Sequence, residues 1–447
     1  MTDKLYELDD KKVKEIESRK SKTSFSYPID YKGKVSNFEI FEIDIECLNV
    51  RADNGRIASK VGKYRSQNAG QNPNEDWILD ALYKQEKDKT DDLVRDLIRY
   101  GQRDPAVITA DGKLVDGNRR RVAFHKIKTD KRYEDERFRR MKVCILPSDT
   151  ANRPTERDIL SLEYKYQSMT DGKAEWGQMD WAITMYLNNE KGFDYDAQIK
   201  QSPKLADTEF DDIKKEFYEN KIDPIEIAVL YLEHWGRGSR EDPTKNDYEM
   251  LEGRWTAFIE LAKINKSIRK KWIENEGKSN FDEPEMDNLL VSFFSIIRLH
   301  NAIDAPKGSG VRPETYKLIR EFKPTRAVMT DERAFQDIIS IGEKVTENDL
   351  KNLPENDDQW VLNNKIDISS KLTSAFKRGT QTKVKETPLK LLEDALNKIR
   401  SANLAEIDFD GRPIGIATQH CEEILKKTNE KLDELKELQK QIEQSKE

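Results

Sequence analysis

Apolar and polar positions alternate in the first third of the chain, and the spacing then becomes helical. The segment NFEIFEIDIECLNV, from Asn37 to Val50, has apolar residues on both of its alternating faces, which predicts a partly buried strand. PAVIT and KLVDG are two short apolar runs on either side of Ala110-Asp111-Gly112, which predicts a tight turn between strands. MKVCILP, ending at Pro147, predicts a buried strand.

Helical spacing first appears between Trp77 and Gly101, where apolar residues recur every three or four positions and Gly101 is typical of a helix C-cap. The segment 50–77 is rich in Gly, Asn and Arg and has little periodicity, so we predict a long loop there. From Glu156 onward the apolar spacing is almost wholly helical.

These patterns predict an α+β protein with a small α/β domain at residues 36–150, preceded at 1–35 by a flexible arm or a short helix. Helical domains are expected at 151–236 and 250–412, followed by a C-terminal amphipathic helix at 413–447. The stretch Gly236–Glu249 is rich in Gly, Pro and charge, and it is the strongest candidate for a domain boundary.

The C-terminal helix has a heptad-like seam, at alternating spacings of three and four, formed by Leu425, Thr428, Leu432, Leu435, Gln439 and Ile442. This seam predicts a coiled coil and a homodimer. Because two of its positions are polar, an amphipathic helix that packs on its own chain is an equally consistent interpretation.

Composition narrows the function classes. The 447 residues carry 78 Lys and Arg against 85 Asp and Glu, a net charge of −7, so any contact with nucleic acid must come from a local patch. The three cysteines are far apart, and the four histidines lack zinc-ligand spacing. No apolar run approaches a membrane span, and the N-terminus lacks a signal-peptide pattern, so we expect a cytoplasmic protein without a membrane partner.

A locally basic segment runs from Asp111 to Lys142. It makes DNA a candidate partner, with contacts from Lys126, Lys128, Lys131 and Arg132. The alternative is a solvated helical arm with ion pairs between successive turns. The segment Asp207–Tyr218 stands where a DNA-recognition helix would follow, but its acidic character has the wrong sign for phosphate contacts.

The stretch LVDGNRRRVAFHKI, Leu114–Ile127, is the strongest chemical candidate. A strand, a turn at Gly117 and a helix start would place free N–H groups and arginines together, which suits an anion. Successive helical residues point about 100° apart, so we expect one or two of the arginines on a ligand and one on an acid or solvent. The alternative is an ordinary helix start exposed to solvent.

This region resembles the N-terminal domain of ParB-type proteins in the ParB/sulfiredoxin superfamily. Gly101 and Pro105 match the family's Gly–Pro loop, and Asp116, Gly117, Arg119, Arg120 and Ala123 match its D-G-E-R-R-x-x-A box. Asn49 and Arg51 match its Asn-Pro-Arg-type loop without the proline. Asn118 replaces the box glutamate, and Asp104 replaces the usual Gln before Pro105.

The resemblance implies a site for CTP or ATP with Mg²⁺, formed by Gly101, Pro105, Asp116, Gly117, Asn118, Arg119, Arg120 and Arg121. Glu163, which matches part of the family's second box, is the implied Mg²⁺ ligand. The function implied is a nucleotide-binding protein that acts on or with DNA in partition, regulation or phage defence. Whether it is an NTPase stays open, because an amide at Asn118 does not act as a base.

Two alternatives remain. A metal-dependent nuclease or phosphotransferase would use Asp116 and Glu163 as its catalytic carboxylates. A non-catalytic interaction protein would retain only a degenerate nucleotide site.

Overall fold

A computed structural model describes residues 4–130, 136–168, 177–274, 283–302, 314–343, 357–401 and 412–444. The chain forms two compact units, Met1–Thr380 and Gln381–Glu447. The fold is mixed α+β, as the sequence predicts. None of the described helices combines the length and the apolar character that crossing a membrane requires.

Unit 1 contains a mixed five-stranded sheet of order β1-β2-β5-β3-β4. The strands are β1 (Ser21–Tyr31), β2 (Lys34–Asp44), β3 (Ala106–Ile108), β4 (Leu114–Asp116) and β5 (Arg140–Ile145). β1–β2 and β3–β4 are antiparallel hairpins, whereas β3 pairs with β5 in parallel. β2 to β5 lie where strands are expected, and the turn at 110–112 is confirmed, but β2 ends at Asp44 and not at Val50, and β1 is not predicted by the sequence patterns.

Helices make up most of the remaining described chain. They are α1 (Asp10–Arg19), α2 (Ala58–Gln67), α3 (Glu75–Gln85), α4 (Lys87–Tyr100), α5 (Asn118–Thr129), α6 (Glu156–Ser168), α7 (Gln178–Glu190), α8 (Tyr195–Ile199), α9 (Phe210–Phe217), α10 (Asp223–His234), α11 (Trp255–Glu274), α12 (Glu283–Leu299), α13 (Thr315–Arg320), α14 (Ala327–Thr330), α15 (Glu332–Glu343), α16 (Asp357–Ser401) and α17 (Arg412–Gln444).

The sheet is covered on both faces. On one face Ile43, Ile108 and Val143 pack with apolar residues of α2 to α5. On the other face Val107 and Cys144 pack with apolar residues of α6. A separate, larger core joins α7 and α10 to α16 within unit 1. The α/β part is thus a three-layer structure, as expected for a partly parallel sheet.

For the described residues 4–35, the expected short helix is confirmed as α1, whereas the alternative of a flexible arm is wrong. α1 begins after Asp9, whose carboxylate accepts hydrogen bonds from the N–H groups of Lys11 and Lys12, and β1 supplies the outer strand of the sheet. Ile16 and Ile29 are both buried. The many lysines of this segment leave its buried apolar residues isolated in the sequence, so apolar periodicity gives no clear sign of its strand.

The predicted loop at 50–77 and the predicted boundary at Gly236–Glu249 are also corrected. The first contains α2, and the second packs against that helix. Lys63 forms an ion pair with Glu249 at 2.6 Å, and the Arg65 guanidinium donates to the Thr244 carbonyl at 3.3 Å. The stretch therefore lies inside unit 1 as a packed connection.

In unit 2, the seam residues Leu425, Leu432 and Leu435 of α17 are exposed. The remaining domain boundaries, the coiled coil and the homodimer stay predictions.

Candidate functional site

The site candidate begins where β4 ends and α5 starts. Gly117 is the N-cap of α5 and has a φ of +103°, which favours glycine. A Cβ atom built there would lie 2.6 Å from the Ala106 Cβ atom on β3. Gly117 is therefore required both by its backbone angle and by its contact with the sheet.

The first turn of α5 lacks a side-chain cap. The Arg121 N–H donates to the Gly117 carbonyl at 2.9 Å, which leaves the preceding N–H groups at the open end of the helix. Asn118 is buried, and its Oδ1 atom has no hydrogen-bond partner among the described residues. This end of α5 has the positive partial charge that stabilises an anion.

The three arginines diverge to different neighbours. Arg119 donates through Nε to the Glu86 carboxylate at 2.9 Å, where α4 starts. Arg121 is buried, and its Nε donates to the Leu48 carbonyl at 3.2 Å, while its Nη2 lies 3.8 Å from Glu75. Each guanidinium thus ties α5 to another element, as their angular separation along a helix requires.

Arg120 joins the two walls of the predicted nucleotide site. Its Nη1 donates to the carbonyls of Asp104 and Pro105, at 2.9 Å for the latter. Its Nη2 donates to the Asp116 carboxylate at 2.6 Å. The Gly–Pro loop and the Arg-rich helix start, which the sequence predicts to be two sides of one site, therefore lie side by side.

The Gly101–Pro105 loop is held in place while its glycine stays accessible. The Gly101 N–H donates to the Leu97 carbonyl at 2.8 Å, and its φ of +72° confirms the predicted C-cap. A Cβ atom built on Gly101 would meet nothing within 4 Å. The next residue, Gln102, hydrogen-bonds in both directions with the Lys142 backbone, at 2.8 and 2.7 Å.

Glu163, the predicted metal ligand, is buried on α6, where its Oε2 lies 3.5 Å from Arg51 Nη1. Burial raises the pKa of this carboxyl to about 7, and the charge of Asp116 contributes in the same direction. Within the described part of the chain, His, Cys, Asp and Glu side chains form no group of three that would hold a metal ion.

Arg51 belongs to a chain of charges. Its Nε and Nη2 donate to both carboxylate oxygens of Asp53, at 2.9 and 2.7 Å, and Lys191 binds the same carboxylate at 2.6 Å. Although burial acts to raise the pKa of Asp53, Arg51 and Lys191 hold it well below its usual value. Asp53 is therefore ionised, and its charge is shared by two cations.

The predicted DNA contacts are only partly described. Lys126 Nζ lies 3.7 Å from the centroid of the Tyr83 ring, and Lys128 forms an ion pair with Glu46. Lys131 and Arg132 lie outside the described residues. The DNA contacts stay predictions.

Sequence reasoning missed a cavity of about 840 Å³ beside this region. Its walls include the loop 49–53 together with Arg65, Lys113 and Lys191, and the last two come from distant parts of the sequence. Only Asn49 and Arg51 carried a signal, through their match to the Asn-Pro-Arg-type loop. The others lack a local motif because the tertiary fold brings them together.

No family model, curated protein or solved structure matches this chain. What the site does is therefore inferred from its own residues and from the resemblance of those residues to the ParB/sulfiredoxin box.

Proposed function

We propose that the α/β part of unit 1 binds a nucleoside triphosphate, CTP or ATP, together with Mg²⁺. The observation that carries this proposal is the position of Arg120, whose guanidinium contacts the Gly–Pro loop and the start of α5 at once. A polyphosphate needs donors from more than one element to fix successive phosphate groups. The ParB-like order of helix, Gly–Pro loop, hairpin and Arg-rich helix supplies them here.

The first phosphate contact would be the uncapped N-terminus of α5, because its N–H groups need no rearrangement to accept an anion. Arg120 would then exchange the neutral carbonyls of Asp104 and Pro105 for phosphate oxygens. A charge-assisted bond of this kind is stronger than a bond to a carbonyl. The open side of Gly101 leaves room for the rest of the nucleotide.

Mg²⁺ would enter with the nucleotide. Mg²⁺ bound to nucleotides uses phosphate oxygens, waters and one or two carboxylates, so it does not need a cluster of three acids. Asp116 is the carboxylate that fits this role best, because it lies 2.6 Å from Arg120, the side chain that would bind the phosphates. A cation on Asp116 would release Arg120 for the phosphates. Glu163 is less suited to direct ligation because it is buried against Arg51.

DNA is the partner that the resemblance implies for such a nucleotide-binding protein. Lys126 and Lys128 are the described cations for that contact, and both already contact protein groups. α9, at the place of a recognition helix, begins with Asp211 and Asp212 in its first turn. The nucleotide site is therefore the part of the proposal with the stronger structural support.

Calorimetry with CTP, ATP and GTP in the presence of Mg²⁺ tests the proposal. We expect one nucleotide to bind and Arg120→Gln to weaken that binding about tenfold or more, the effect of losing a hydrogen bond to a charged group. Arg95→Gln, which removes an exposed arginine paired with Asp92, is the matched control and should leave the affinity unchanged.

Two results would overturn the proposal. One is the absence of binding for all three nucleotides at millimolar concentration. The other is an unchanged affinity in a folded Arg120→Gln protein.

A further inference from the structure

A second binding site lies next to the proposed nucleotide site but shares none of its residues. The cavity is lined by the N-terminal segment 4–7, the loop 49–53, and side chains of α2, α3, α6 and the 243–245 turn. Its volume of about 840 Å³ falls within the range of small-molecule sites. We call it the Arg51 cavity.

Arg51 is a buried cation in the lining of the cavity. Its side chain is only 6% exposed, and Nε and Nη2 are fixed by the two oxygens of Asp53. Nη1 is buried without a hydrogen-bond partner among the described residues, although it lies 3.5 Å from Glu163. A buried guanidinium nitrogen without an acceptor is costly unless a ligand or water supplies one.

Arg65 adds a second guanidinium to the lining, and its hydrogen-bond acceptors are neutral. Its Nε and Nη2 donate to Asn72 Oδ1 at 2.9 and 2.7 Å, and its Nη1 donates to the Thr244 carbonyl. Among the described residues Arg65 has no ion pair. Burial lowers the pKa of Arg65, against the opposing charges of Asp53 and Asp242. An anion in the cavity would supply the counter-charge that Arg65 lacks.

The remaining lining has mixed polarity. Lys113 and Lys191 add cations, whereas Glu7, Glu75 and Glu156 add carboxylates. Glu75 accepts a hydrogen bond from the Val50 N–H at 3.2 Å, and burial raises the pKa of its carboxyl. These acids suit the hydroxyl or amino groups of a ligand whose other end is negatively charged.

We infer that the Arg51 cavity binds a small phosphate monoester rich in hydroxyl groups, with its phosphate held by Arg51 and Arg65. Two arginines in the lining of one cavity match the several acceptor oxygens of a phosphate better than the two of a carboxylate. Mononucleotides and sugar phosphates share this chemistry. Because Arg65 and Lys191 come from the helical elements while loop 49–53 adjoins the sheet, the ligand would fasten these parts of unit 1 together.

Equilibrium binding to the full chain tests the inference, with inorganic phosphate, ribose 5-phosphate and the four nucleoside monophosphates as separate probes. We expect at least one ester to bind more tightly than inorganic phosphate. Arg65→Gln should weaken it about tenfold or more while leaving triphosphate binding unchanged. Arg240→Gln, an exposed arginine paired with Glu233, is the matched control.

Thermal melting checks that Arg65→Gln is folded. Lys113→Gln, which removes a partly exposed cation from the cavity lining, is the second variant. The inference is wrong if no ester binds, or if both variants bind the ester like the unmodified chain. It is also wrong if Arg120→Gln, and not Arg65→Gln, abolishes ester binding. Ester binding without triphosphate binding would sustain the cavity and refute the proposed function alone.

Discussion

At the scale of single residues, buried charges organise the α/β part. Arg119, Arg120 and Arg121 are consecutive in sequence, yet each contacts a different element. Because each guanidinium has its own acceptor on a different element, three positive charges are tolerated at adjacent positions in the sequence. Arg121 is the most buried of the three, so its loss would affect folding before it affected any ligand.

Glu163 makes stability depend on pH. Its pKa is raised from 4.5 to about 7 in the folded protein, chiefly by burial, so the folded state binds more protons than the unfolded state between these values. The free energy of unfolding therefore falls as pH rises through this window, by on the order of 3 kcal/mol. In Glu163→Gln this pH-dependent contribution is absent. The free energy of unfolding of the variant should therefore rise relative to that of the unmodified chain as the pH increases from 4.5 to 7.

Urea unfolding at pH 5 and pH 8 measures this difference. Glu156→Gln, which removes an exposed carboxylate from the same helix, should keep the full pH dependence. Identical pH dependence in Glu163→Gln and the unmodified chain would contradict the role of Glu163. Asp53 contributes in the opposite sense and at lower pH, because its pKa is held below its usual value.

At the scale of elements, α2 shows why a helix can be hidden in a sequence. Its exposed positions are polar, and its buried face includes Ser59 and Gly62, which carry no apolar signal. Position 62 requires glycine because the chain at Asn246 crosses over it. A Cβ atom built there would lie 2.2 Å from the Asn246 carbonyl oxygen. Apolar periodicity reveals helix faces that carry apolar side chains. It does not reveal this contact, because the contact depends on the absence of a side chain.

Gly62→Ala should therefore destabilise the protein by about 1–3 kcal/mol, despite the higher helix propensity of alanine, because the added methyl group overpacks the contact. Chemical denaturation followed by circular dichroism measures the change. Ser66→Ala, at an exposed position of the same helix, should change stability by less than about 0.5 kcal/mol. Equal effects in the two variants would show that the crossing at Asn246 is not a tight contact.

Part of the candidate site follows from local sequence, and part of it follows only from the tertiary fold. The turn at Gly117 and the C-cap at Gly101 follow from local residue types, and both are observed with positive φ. The Arg51 cavity could not be predicted, because Arg51 and Arg65 share no recognisable motif and Lys191 lies far from both in the sequence. Only the packing of α2 and α7 beside loop 49–53 brings them together.

At the scale of the whole molecule, units 1 and 2 differ in kind. Unit 1 contains the sheet and the buried cores, whereas Leu425, Leu432 and Leu435 of unit 2 are 63%, 47% and 52% exposed. Exposed leucines at heptad spacing are typical of a helix that associates with another helix. The dimer predicted from the seam therefore belongs to unit 2.

A chain ending at residue 380 should be monomeric, and the full chain should be a dimer. Light scattering after size exclusion measures both masses. Because the buried cores lie in unit 1, the main calorimetric transition of the shortened chain should stay within about 5 °C of that of the full chain. A dimeric shortened chain would place the interface in unit 1, and a monomeric full chain would exclude the predicted coil.

The order of the strands in the sheet also affects how the chain folds during translation. β5 lies between β2 and β3, although it is the last of the five strands in sequence. On the ribosome both hairpins are therefore complete before the strand that joins them has emerged, and until then the edges of β2 and β3 that β5 will cover stay unpaired. A translational pause after β4 has emerged but before β5 has emerged would prolong that state and leave these edges open to aggregation.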